Sequence, residues 1–385
     1  MSKKIFNNRN YLIILYAIYF LFLLGIFFTS KEIKAMNFID GYLLGGDSNR
    51  YIKGAEKLLN YELPTGKGLS YLGYIFFISI FKYFDLNLTY VVIFQIFLTF
   101  LSSLCLYKIT EKLSSCYGGL FSLSLYLFYF PLQIRNFYIL TETVFICSII
   151  FLIYFLLFFK KNNLIIIIFL VFFIILIRPH GIILIPSLFL ALILWFYSNK
   201  KKLFYLSIIF FITLCYPSLL LINFYLENEK ILFKLLNYGI IYGYNNENNY
   251  LNFNEPLNNK NDILSLLIFI KENSYNFIIS FYKKIWFFLI RARPFYSDIH
   301  NLYLIIFNVI LYPLVIYGYL KNDLKKKISI NFMYFFVIFS TISAGLSFAD
   351  WSGRFVLYIF PIFFIFAGIG FSYTLELIFK KIKTG

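Results

Sequence analysis

Apolar residues in this chain come in long runs, separated by short polar stretches that hold most of the lysine. A membrane-crossing helix needs about 20 predominantly apolar residues. Runs that fit this length and its charged flanks lie at 11–29, 88–107, 117–132, 143–159, 163–177, 181–198, 203–225, 302–320, 328–348 and 355–378. Two stretches between the first pair of runs follow a different rule. Residues 48–59 set Tyr51, Ala55, Leu58 and Leu59 on one helical face, which predicts a short amphipathic helix. Residues 71–84, YLGYIFFISIFKYF, are apolar but too short to span, and read as a juxtamembrane helix.

Lysine sets the threading. With 71–84 on the surface, Lys108 and Lys112, Lys160 and Lys161, Lys200 to Lys202, Lys321 with Lys325 to Lys327, and Lys380, Lys381 and Lys383 all share the side of the N-terminus. That side is then cytoplasmic by the positive-inside rule, whereas a spanning 71–84 would put three of the clusters outside. Two long loops fall on the outer side, 30–87 and 226–301. The second carries an Asn-rich patch, YNNENNYLNFNEPLNNKND, and an amphipathic helix at 276–291.

Composition agrees. Hydrophobic residues make up 61% of the 385 and charged residues 14%, against about 45–50% and about 25% in soluble domains. A net charge of +17 raises nucleic acid as a partner, but the lysines form short clusters between apolar runs instead of one basic face. Cys105, Cys116, Cys147 and Cys215 form no CxxC pair, which argues against a disulfide framework or a zinc site. The first run lacks a small-x-small cleavage pattern and is expected to remain as a span.

The expected fold is therefore an all-α polytopic membrane protein of about ten transmembrane helices with juxtamembrane helices in its outer loops. Residues 1–225 form a first transmembrane module that includes the loop 30–87. Residues 226–301 form an extracytoplasmic loop, and 302–385 the C-terminal helices.

On this threading arginine gathers outside: Arg50, Arg135, Arg178, Arg291, Arg293 and Arg354 fall on or near the outer boundary. A guanidinium grips phosphate or carboxylate with a planar fork of donors, while each helix-end arginine also has the plainer option of snorkelling or pairing with an acid. Arg178 ends a span and leads into Pro179, His180 and Gly181. Arg354 opens the last span after Asp350, Trp351, Ser352 and Gly353. The segment RNFYILTE leaves one span at Arg135, passes Tyr138 and enters the next at Thr141 and Glu142. Glu142 either lines the same layer or caps a helix dipole.

In GGDSNRYIKGAEKLL, Asp47 precedes the amphipathic helix; it or Ser48 is a candidate N-cap. The alternative is a carboxylate held level with the arginines, taking a proton from an acceptor hydroxyl while a sugar leaves a lipid phosphate. His180 and His300 come without a nucleophile motif or HExxH spacing and read as helix-end packing.

These segments (GGDSNRYIKGAEKLL, SYLGYIFFISIF, YILTETVF, IRPHG and RFVLYIFP), in their order and sidedness, resemble polyprenyl-phosphate-sugar glycosyltransferases of the GT-C superfamily. The similarity is to the family 39-like group of protein mannosyltransferases and lipid A aminoarabinose transferases. It implies a GT-C-like bundle and an inverting transferase acting on the extracytoplasmic side of a bacterial inner membrane. The donor would be a polyprenyl-phosphate-linked sugar and the acceptor a glycan, lipid or protein. It implies Asp47 as general base, Arg178 and Arg354 holding the donor phosphate, and Glu142 lining the same cleft; Arg135, Tyr138 and His180 complete the expected substrate-binding residues. The paired acid common in that family's first loop is Asp47-Ser48 here, so a divalent cation is allowed but not indicated and the cofactor is unknown. The alternatives are a polysaccharide polymerase or ligase using lipid-diphosphate oligosaccharides, and a flippase or transporter of lipid-linked sugars.

Overall fold

The computed structural model describes residues 2–33, 38–39, 42–199, 205, 263–293, 296–321, 327–346 and 353–384. The expected span at 203–225, apart from Tyr205, lies outside the described residues, as do the Asn-rich patch and Asp350, Trp351 and Ser352. In the described residues helices dominate. In chain order they are α1 (Ser2–Ile33), α2 (Ser48–Leu59), α3 (Leu72–Tyr83), α4 (Thr89–Leu113), α5 (Cys116–Phe128), α6 (Phe130–Gln133), α7 (Glu142–Leu157), α8 (Leu164–Ile177) and α9 (Leu184–Asn199). They continue with α10 (Ile263–Glu272), α11 (Ser274–Ile290), α12 (Asp298–Lys321), α13 (Ile328–Leu346) and α14 (Phe360–Thr384).

Among the described residues six helices are long and apolar enough to cross a membrane: Asn10–Thr29, Thr89–Leu113, Pro179–Tyr197, Asp298–Lys321, Ile328–Leu346 and Phe360–Lys380. The protein is a multi-pass, all-α integral membrane protein. Three further runs expected to span form shorter apolar helices, α5, α7 and α8, with 13, 16 and 14 residues. At 1.5 Å per residue these rise only about 20–24 Å, short of a hydrocarbon core of about 30 Å. The amphipathic helix expected at 48–59 is α2, the juxtamembrane stretch is α3, and the stretch at 276–291 falls on α11. The hydropathy pattern did not announce a two-stranded antiparallel hairpin, β1 (Phe38–Ile39) and β2 (Tyr42–Leu43).

The chain divides into two compact units. The first comprises Met1–Pro186, Ile310–Ser329 and Leu357–Gly385, and the second Ser187–Val309 and Ile330–Val356. In the first unit α5 packs against both α4 and α14, α7 against α4 and α8, and α3 against α2 and α8. Small residues permit the tightest of these crossings: a Cβ on Gly118 of α5 would stand 2.6 Å from the backbone oxygen of Gly368 on α14. Beside that contact Phe121 stacks on Phe371 at 4.2 Å and Ser115 hydrogen-bonds Ser372 at 2.6 Å. The backbones approach closely and van der Waals contact replaces lipid, as is usual where helices associate in a bilayer.

In the second unit α11 ends at Arg291, whose left-handed φ of 63° closes the helix. Asn308 of α12 donates to the Ile290 carbonyl at 2.8 Å, so a side chain meets one of the helix-end acceptors.

Candidate functional site

The break after α8 follows from Pro179. A residue before proline is pushed out of the helical region, and Arg178 is extended, with φ −161° and ψ 142°. A 3-10 turn, Pro179–Ile183, then leads into α9. Gly181 is the only residue type that fits this turn, because a Cβ there would run into the Ile174 carbonyl. The bend turns the Arg178 side chain into the unit, where it is 4% exposed. Its Nη1 donates to Thr141 Oγ1 at 2.9 Å and to Glu142 Oε1 at 3.0 Å. Its guanidinium lies 4.9 Å from the centre of the Tyr358 ring.

Glu142 is the first residue of α7 and fully buried. A carboxylate there is favoured by the helix dipole and, in low dielectric, by the guanidinium beside it. His180 lies 5.4 Å from Tyr358 and 6.5 Å from Phe145, ring centre to ring centre, in aromatic packing.

Tyrosines close over the pair. Tyr51 of α2 is buried, with its ring 5.2 Å from those of both Tyr71 and Tyr74. Burial pushes the Tyr51 hydroxyl above its ordinary pKa; the charges of Glu142, Tyr71 and Asp47 act in the same direction and Arg178 opposes them. The α3 helix reaches this place because Gly73 has no side chain: a Cβ would meet Ile177 N and Leu176 C at 2.9 Å, just before Arg178.

Asp47 occupies the position before α2 but does not act as a side-chain cap. Its carboxylate instead meets Arg50 Nη1 at 3.1 Å, and 20% of the side chain remains exposed. Ser48 is not a cap either: its hydroxyl accepts from Gly45 N at 2.8 Å and donates to the Ile139 carbonyl at 2.9 Å. Ile139 N donates to Leu43 O at 3.1 Å, and Leu43 bridges Tyr138 in parallel fashion. Residues 43–48 are therefore stitched along 138–140, and the loop carrying Asp47 is fixed to the segment carrying Arg135 and Tyr138.

That segment is anchored from below by buried amides. Gln95 of α4 donates Nε2 to the carbonyls of Asn136 and Tyr138, both at 3.0 Å, and accepts from Tyr74 OH at 3.1 Å. Asn136 accepts from Thr99 at 2.9 Å and Thr143 at 3.1 Å, and donates to Gln133 Oε1 at 2.9 Å. Gln133 Oε1 also accepts from Tyr19 OH at 2.7 Å. Polar side chains inside an apolar bundle need such saturation, since an unmet group there costs far more than a met one gains. Arg135 leaves the network and is partly exposed, 5.6 Å from the Tyr138 ring centre.

Of the residues singled out from sequence, Asp47, Arg135, Tyr138, Glu142, Arg178 and His180 belong to the first unit. Arg354 belongs to the second unit, 5.8 Å from the Phe355 ring centre, and immediately precedes the 3-10 turn Phe355–Tyr358. His300 stacks on Tyr296 at 4.5 Å. No group of three or more His, Cys, Asp or Glu suited to a metal ion occurs among the described residues.

Sequence reading missed Gln95, Asn136 and Gln133, and it did not single out Tyr358. Gln95, Thr99 and Ser102, all fully buried, recur at i, i+4 and i+7 in an otherwise apolar helix, and that polar stripe was the available signal.

Comparison with protein-family models, with curated proteins and with solved structures finds no match to this chain. The resemblance to GT-C transferases therefore rests on the short segments quoted above alone.

Proposed function

We propose that the protein is a GT-C-like integral-membrane glycosyltransferase of about ten spans. On this reading it moves a sugar from a polyprenyl-phosphate donor to an acceptor hydroxyl on the extracytoplasmic face of a bacterial inner membrane. Asp47 is the general base: its carboxylate takes the proton as the acceptor oxygen bonds to the anomeric carbon. The bond from that carbon to the phosphate oxygen breaks, the configuration inverts, and the lipid phosphate leaves with the electron pair. Glu142, Arg178, Tyr138 and His180, all in the first unit, line the site.

The observation that carries this reading is the state of Asp47. Its carboxylate is not used to cap α2 and keeps a solvent-facing portion, and its loop is hydrogen-bonded to the segment 138–140 that leads into the buried Glu142–Arg178 pair. The backbone N–H groups of the first turn, which a capping acid would bond, do not hold it. The polar stripe of α4 favours a transferase over a transporter: Gln95 and Thr99 are bonded to the segment beneath the site and Ser102 pairs with Tyr126 at 2.9 Å. A transport path calls for polar side chains that face a cavity.

The test is transfer from a labelled polyprenyl-monophosphate sugar by membranes carrying the wild type or Asp47→Asn. A base of this kind contributes roughly 10²- to 10⁴-fold, so transfer should fall by that factor while donor binding persists. Unchanged transfer by Asp47→Asn removes Asp47 from the chemistry, and a wild type without any transfer sinks the enzyme reading.

A further inference from the structure

We infer that Arg135 is the cation that first grips an anionic phosphate group, while Arg178 serves to hold Glu142 in place. The inference deepens the transferase reading and rests on it for the lipid that carries the phosphate. It starts from what the arginines of the first unit already touch. Arg50 meets Asp47 at 3.1 Å and Arg178 meets Glu142 at 3.0 Å. Of the arginines whose side chains are described in that unit, Arg135 alone forms no ion pair.

Its environment is built for an anion. The Arg135 Nε is buried and has no hydrogen-bond partner among the described residues, although the side chain as a whole reaches the surface. A buried guanidinium N–H without an acceptor is costly, and a planar fork with one edge unmet matches the paired oxygens of a phosphate. The ring of Tyr138 flanks it.

The backbone beneath Arg135 is held unusually firmly for a segment between two helices. Gln95 takes the carbonyls of Asn136 and Tyr138, and Asn136 is bonded from α4 and α7 and to Gln133. Gln133 in turn receives Tyr19 of α1 and donates to the Tyr126 carbonyl of α5 at 2.6 Å. Four helices thus fix the backbone of the segment from which Arg135 extends before any ligand arrives. A segment already in place raises affinity by removing the cost of ordering that loop on binding. The seam joining 43–48 to 138–140 ties this grip to the loop of Asp47, so an anion held at Arg135 has a fixed relation to the proposed base.

Arg178 is the weaker candidate for first contact. One nitrogen already serves Thr141 and Glu142, its charge is offset by a neighbouring carboxylate, and almost none of it is exposed.

The experiment uses the full chain in phosphatidylcholine nanodiscs and measures equilibrium binding of labelled polyprenyl monophosphate and, separately, of inorganic phosphate. Wild type is compared with Arg135→Gln, Arg135→Lys and Arg50→Gln, with thermal midpoints confirming that each is folded. The expected result is at least a tenfold loss of polyprenyl-phosphate binding in Arg135→Gln, a smaller loss in Arg135→Lys because an ammonium lacks the planar fork, and little change in Arg50→Gln. Loss confined to the polyprenyl phosphate assigns the anion to a lipid; loss of both probes assigns it to the phosphate group itself, and either supports the inference. Binding by folded Arg135→Gln within twofold of wild type overturns it, as does an equal loss in Arg50→Gln, which would mark a general surface-charge effect. Should Arg135→Gln not fold, Arg135→Lys decides: unchanged affinity for both probes overturns the inference. Transfer with Arg135-independent binding would retire this inference and keep the enzyme, whereas Arg135-dependent binding without transfer would do the reverse.

Discussion

Arg178 donates to Glu142 at 3.0 Å across 36 residues of chain, and both side chains are buried. The pair joins the start of α7 to the end of α8 at the point where the chain bends back toward α9. Because each charge is held away from water, their mutual attraction must offset the desolvation of both, and removing one partner is worse than removing both.

Arg178→Met should therefore destabilise the first unit by about 3–5 kcal/mol, read as a lowered midpoint in thermal or chemical unfolding of the detergent-purified chain. Combining it with Glu142→Leu should recover most of that loss. A double variant that is additive in its two single effects would show that the two charges do not depend on each other.

Gln95→Leu keeps the side-chain bulk but removes the bonds to the Asn136 and Tyr138 carbonyls and the Tyr74 hydroxyl, of which the Tyr138 carbonyl still accepts from Leu140 N at 2.9 Å. Each buried group left unmet costs about 1–3 kcal/mol, so a clear drop in unfolding midpoint is expected. Faster amide exchange should be confined to residues 134–140. Exchange that rises evenly across the first unit would mean that the network does not specifically hold this segment.

Gly73 admits α3 to the backbone at the end of α8, where a Cβ would stand 2.9 Å from Ile177 N. Gly73→Ala should cost about 1–3 kcal/mol, as overpacking does, and should push α3 away from Arg178. A cysteine pair engineered across α3 and α8 would report the displacement as slower crosslinking; an unchanged rate would place no constraint on position 73.

Tyr51 is buried and its hydroxyl pKa is raised, first by burial and then by the carboxylate of Glu142. The folded protein therefore keeps a proton that the unfolded chain loses above about pH 10. The unfolded state then binds fewer protons than the native state, so stability falls as pH rises beyond that value. Tyr51→Phe removes this contribution and should flatten the decline of thermal midpoint between pH 9 and 11 (both set on an approximate scale by the ordinary tyrosine value). Parallel curves for the two proteins would count against an ionisable Tyr51 in this role.

The apolar runs and the amphipathic helix at 48–59 were legible from the chain, because each depends on the spacing of neighbouring residues and on the demand of a bilayer for about 20 apolar positions. The break at Arg178-Pro179 was legible for the same reason: proline restricts the residue before it wherever it occurs. Whether Asp47 caps its helix was not, since Asp47 and Ser48 are both good capping residues and local preference cannot choose between a cap and a tertiary bond. Packing chose, sending Ser48 to Ile139 and Asp47 to Arg50. The division between Arg178, paired and buried, and Arg135, partly exposed, also came only from the folded chain. Both are arginines beside apolar runs, and what separates them is which carboxylates and amides arrive from α4 and α7 when those helices pack.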